Sequence, residues 1–265
     1  MIKFAPLLGC LMLSLAAAQA GAPTRFGEVV FSRGEVAGQA FITAQAEFST
    51  APPAPDEPPL GECQLSSGVL RSREIDAEAF GAEAGEQGQE APISAGDALN
   101  VEAGGRTLLS LEASGPAYRL VDAGPSELLR RIGGVAGPLP PDAVLEVPGQ
   151  AGDYGFPAFR VPLPEIPVFV WQSPDTLQPG DTLRWSGASH SAQARVKMLL
   201  RQGEGVQARN VICAVPDTGT FVLPPAVRPA LSGPLQVVGS FRTFTQVTRQ
   251  ASAELRVVLE EGGLH

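Results

Sequence analysis

The reactive side chains of this 265-residue sequence are few: two histidines, three cysteines and scattered carboxylates. His190 lies in Gly187-Ala-Ser-His-Ser-Ala192, between Ser189 and Ser191. A serine becomes a nucleophile only when an imidazole is aimed at its hydroxyl, and neighbours in one short loop point apart. His190 therefore reads as a solvated loop residue. No Gly-x-Ser-x-Gly elbow and no glycine-rich phosphate loop with lysine occur. Cysteine and histidine lack Cys-x-x-Cys or His-x-x-x-His spacing, which argues against a zinc site. The sequence thus implies no catalytic residue, no metal and no cofactor. The carboxylates nearest to a set are Asp153, Glu165, Asp175 and Asp181, the basis of an alternative hydrolase or lyase reading.

Those carboxylates share residues 148–187 with a group of aromatics: Tyr154, Phe156, Phe159, Phe169 and Trp171. Exposed and coplanar, such rings would bind a sugar; interleaved with Val, Leu and Ile, they would fill a crevice. Tyr154, Phe156 and Trp171 are accordingly the ligand-binding candidates, and a carbohydrate-binding module is a second alternative. Prolines at 157, 162, 164, 167, 174 and 179 forbid regular helix here. The stretch reads as a stiff, extended connector packed against modules on both sides. Phe156 and Trp171 are then expected to be buried bridges between the modules.

The elements flanking the connector follow from alternation. Ala40, Ile42, Ala44, Ala46 and Phe48 share one face of a strand over 38–49. Gly104-Gly105 predicts a two-residue hairpin turn between strands at 95–103 and 106–113. Ser126 to Gly133 predicts a short capped helix. Downstream, Leu183 with Trp185, then Ala194, Val196, Met198 and Leu200, then Ala253, Leu255, Val257 and Leu259 mark inward strand faces. Regularly spaced strands with a buried Trp near the start predict an immunoglobulin-like sandwich. Residues 71–91 carry six acids among glycines and read as a solvated loop. Their spacing does not match the alternating Asp/Asn of a calcium loop.

The first 20 residues read as a secretory signal peptide: Lys3, an apolar run over 7–18, and Ala18-Gln19-Ala20 for cleavage. Leu7-Leu8-Gly9-Cys10 offers the alternative of a lipid anchor through Cys10. No other run reaches the ~18 apolar residues of a membrane span. Without Lys3, 18 basic residues stand against 28 acidic ones, a net charge of −10. That balance disfavours nucleic acid and anionic membrane as partners. Cys63 and Cys213 remain after cleavage. In an oxidising compartment they form a disulfide candidate linking the modules. The alternative is that each is a small hydrophobe in its own core.

The expected organisation is all-β: signal peptide 1–20, a β-rich module 21–162 with the acidic loop, and an immunoglobulin-like sandwich 163–265. Five segments carry a resemblance: GEC (61–63), residues 94–120, residues 148–164, GDTLRWSG (180–187) and residues 210–231. Together they resemble a family of secreted bacterial proteins with immunoglobulin-like modules and no characterised function. In that resemblance Gly155, with Phe156 or Phe159, takes the place of a glycine-rich turn followed by a strand. Cys213, Gly219, Phe221 and Pro224 take the places of a strand pair. The resemblance implies a fold and no catalytic residue; residues 71–91 depart from it. The expected function is an exported, non-enzymatic envelope protein that binds an envelope protein or glycan, or serves as a structural surface component.

Overall fold

The computed structural model describes residues 24–36, 39–52, 59–66, 93–115, 117–120, 134–136, 138–178, 180–203, 208–224 and 234–264. The expected signal peptide, the acidic loop and the helix at 126–133 lie outside the described residues. Among the described residues every regular element is a strand. In the first half these are β1 (Arg25–Val36), β2 (Gln39–Ser49), β3 (Glu62–Ser66), β4 (Ala98–Ala103), β5 (Arg106–Ser114), β6 (Ala117–Leu120), β7 (Gly134–Ala136), β8 (Val144–Val147) and β9 (Phe159–Pro162). Then follow β10 (Val170–Trp171), β11 (Thr176–Leu177), β12 (Thr182–Ser186), β13 (Ala194–Gln202), β14 (Arg209–Pro216), β15 (Thr220–Val222), β16 (Leu235–Gln250) and β17 (Ala253–Leu264).

Local pattern accounts for the strand faces. Ile42, Ala44, Ala46 and Phe48 of β2 are buried while Glu47 is exposed. Leu183 and Trp185 of β12 are buried between exposed Thr182 and Arg184. The expected inward residues of β13 and β17 are all buried. Gly104 and Gly105 turn the β4–β5 hairpin with φ of 55° and 73°, the left-handed pair that suits strand twist and that glycine adopts without strain.

Long-range pairing then joins these strands into a 14-stranded sheet in the order β3-β14-β13-β16-β17-β1-β2-β6-β5-β4-β8-β9, with β11 beside β16 and β7 beside β2. The three-stranded sheet β10-β12-β15 lies apart from this path. The ends of the described chain meet: β1 runs parallel to β17, Arg25 opposite Ala253 through Arg33 opposite Glu261. The large sheet also curls, for the Arg25 guanidinium donates to the carbonyls of Asp153 (3.0 Å) and Gly155 beyond β8.

Among the described residues two apolar cores result. The first contains Phe31, Phe48, Leu99, Leu111, Tyr118, Leu145, Phe156, Phe159 and Val161. The second contains Leu183, Trp185, Val196, Met198, Leu200, Val211 and Cys213. A division at 162/163 does not follow this packing. Phe244, Leu255, Val257 and Leu259 lie in the first core, and β3 pairs with β14 of the second. The reason is strand length: β16, at roughly 3.3 Å per residue, extends about 50 Å and passes from one core to the other.

Cys63 and Cys213 form a disulfide. They stand directly opposite each other in the β3–β14 pair, with Cα atoms 4.0 Å apart. The bond therefore lies inside one sheet, not between two modules as expected. It fastens an N-terminal segment onto the edge of the second core, because β3 crosses to that edge.

Candidate functional site

The connector reaches both cores. Leu163 is buried in the first core and Ile166 packs against it, while Phe169 is buried in the second. Between those anchors the Pro167 carbonyl faces Arg242 of β16, and the Val168 carbonyl faces the loop after β12. Gly187 in that loop has φ of 74°, and a Cβ there would run into the Val168 carbonyl. Only glycine lets the connector pass so close.

Rows across the sheet show how the cores meet. One inward row, Ala44-Phe31-Leu259-Phe244-Ala194, lies wholly in the first core. The next inward row, two residues along each strand, is Ile42-Arg33-Glu261-Arg242-Val196. Ile42 belongs to the first core and Val196 to the second. Three charges of alternating sign thus occupy the seam between the cores.

Arg242 is wholly buried. Its Nη2 donates to Glu261 Oε2 at 2.5 Å and to the Pro167 carbonyl, and its Nη1 donates to the Gly187 carbonyl. Asp217 Oδ2 stands 3.7 Å from Nη1, and the guanidinium carbon lies 5.8 Å from the Phe169 ring centre. Glu261 Oε1 in turn is 3.5 Å from Arg33 Nη1. Asp217, 1% exposed, accepts from Trp185 Nε1 and from the Ser189 N–H, each at 2.7 Å. A buried charge is tolerated when paired and hydrogen-bonded in this way. With its oxygens occupied as acceptors and turned inward, the cluster holds the connector, β16, β17 and β1 together. Within it Arg242 and Asp217 are buried, while Arg33 keeps part of its side chain exposed.

The sequence candidates fall elsewhere. Tyr154 is 62% exposed at a turn, whereas Phe156 is wholly buried between Phe48 and Phe159 in the first core. Trp171 is half-buried and lies parallel to Trp185, ring centres 6.4 Å apart, against the second core. The three rings do not share a face, and Phe156 and Trp171 do not bridge the cores; Arg242 does. Ser189 Oγ and Ser191 Oγ accept from the backbone N–H groups of Ser191 and Gln193, so both hydroxyls shape the loop. His190 is exposed with φ of 53°. Asp181 caps its own turn through the Gln178 N–H (2.6 Å), Asp153 and Asp175 sit exposed in separate loops, and Glu165 is exposed in the connector. Among the described residues no three His, Cys, Asp or Glu side chains gather as a metal site.

Sequence reasoning passed over Arg242, Asp217, Glu261 and Arg33. A signal for three of them existed. Arg33 continues the buried parity of Val29 and Phe31, Glu261 that of Val257 and Leu259, and Arg242 shares its side with Phe244.

Compared with family models, curated proteins and solved structures, the chain matches none. Among the described residues no helix is long and apolar enough to cross a membrane.

Proposed function

We propose that this chain is an exported, non-enzymatic β-sandwich protein of the bacterial cell envelope, acting in binding or as a structural surface component. The observation that carries the export reading is the Cys63–Cys213 disulfide. Such bonds persist in oxidising compartments and are rare where thiols are kept reduced. The Lys3 to Ala20 segment supplies the matching address. The non-enzymatic reading is supported by where the polar groups point: the most connected cluster is turned into the seam, and exposed carboxylates serve separate loops. An immunoglobulin-like second module is supported by β12 of the small sheet sharing the second core with β14, β13 and β16 of the large one, the two-sheet arrangement expected for such a sandwich.

Expression of the whole gene in a bacterial host, followed by fractionation and intact mass, tests this. The expected product is an exported chain beginning after Ala20, two mass units lighter than its reduced form. A diacylglyceryl adduct on Cys10 would replace the free protein by the lipid-anchored one. A cytoplasmic chain retaining residues 1–20 with free thiols would refute export altogether.

A further inference from the structure

The edge of the large sheet at β3 differs from its interior. Glu62, Gln64 and Leu65 are exposed, and among the described side chains of β3 Cys63 packs on the second core. The strand meets β14 over five residues, Glu62 opposite Ala214 to Ser66 opposite Asn210. Beneath it β14 is robust: Val211, Cys213, Ala214 and Val215 are fully buried, and β14 pairs with β13 over eight positions. What β3 contributes is thus an edge ladder and one sulfur. Removing the S–S bond leaves a short strand with little buried surface, lying against an edge that keeps its own support.

We propose that Cys63–Cys213 is a redox latch. When a dithiol reductant opens it, β3 leaves β14 and both cores stay folded. The half-buried Cys63 sulfur is the one a thiolate reaches, since Cys213 is buried. Attack there forms a mixed disulfide on Cys63 and releases Cys213 as a thiolate, which takes a proton. The reductant's second thiolate then closes its own disulfide and frees Cys63 as a thiol. Two electrons and two protons pass from the dithiol to the protein.

The test uses the whole exported chain with dithiothreitol, without denaturant. Hydrogen exchange of β3 is expected to rise tenfold or more and that of β4 and β5 to stay within twofold. Cys63→Ser/Cys213→Ser is expected to behave in the same way without reductant. Exchange rising everywhere on reduction would overturn the proposal, because the bond would then support the whole fold. So would a reduced chain with β3 still protected, or a bond that resists native reduction.

Discussion

Replacing Arg242 by methionine tests whether the charged row couples the two cores. Methionine keeps much of the stem's volume and removes the guanidinium, leaving Glu261 and Asp217 buried without their shared cation. The carbonyls of Pro167 and Gly187 lose their donor as well. Breaking a buried pair by removing one partner costs about 3–5 kcal/mol, because the remaining charge keeps its desolvation penalty. In a domain of this size that lowers Tm by about 6–20 °C. The assay is urea unfolding followed by two signals. The chain's two tryptophans, Trp171 and Trp185, both pack in the second core, so their fluorescence reports that core alone. Far-UV circular dichroism reports the strands of both. The expected result is coincident transitions in the parent protein, and coincident transitions at lower urea in the variant. Arg242→Lys should fall between them, since one ammonium cannot reproduce a planar fork that reaches two carbonyls and two carboxylates. Arg242→Met combined with Glu261→Gln should lose less than the two single changes together, by about 0.5–3 kcal/mol of coupling. A loss below about 1 kcal/mol for Arg242→Met, or a fluorescence transition that moves while circular dichroism does not, would refute the coupling.

Other predictions concern single contacts. The Tyr118 hydroxyl accepts from the Ala95 N–H (2.9 Å) and donates to the Gly96 carbonyl (2.7 Å). Tyr118→Phe strands a buried N–H and should cost about 1–3 kcal/mol in chemical denaturation. Gly187→Ala must displace the Val168 carbonyl, whereas Gly104→Ala meets open space and bears only the left-handed backbone cost of about 1–2 kcal/mol. Gly187→Ala should therefore lower Tm clearly more than Gly104→Ala, and equal losses would remove the close approach from the account. Phe156→Ala empties a buried site in the first core and should cost about 3–5 kcal/mol, while half-buried Trp171→Ala should cost less. Equal costs, read by denaturant midpoint, would contradict that ranking. Thiol titration of the denatured, unreduced chain lacking residues 1–20 should find no free thiol.

What the sequence determined by itself is what a strand shows along its own length. Period-two alternation is a local property, so the inward faces at Ala40 to Phe48, Leu183 to Trp185, Ala194 to Leu200 and Ala253 to Leu259 were legible before any pairing was known. The Gly104-Gly105 turn was legible for the same reason, since two adjacent residues with positive φ define it. Partner choice is not local. Nothing within Arg25–Val36 says that it lies parallel to Ala253–Leu264, and nothing within Glu62–Ser66 says that it edges β14. Those pairings join segments more than 140 residues apart and are selected by the total surface buried. The boundary expected at 162/163 missed them because it treated sequence neighbourhood as spatial neighbourhood. The seam followed the same rule. Arg33, Glu261 and Arg242 each stand on the buried side of a strand, where a lone charge would be costly. Only the tertiary register of three strands brings them side by side, and that adjacency, absent from the linear chain, allows Arg242 and Glu261 to be buried at all.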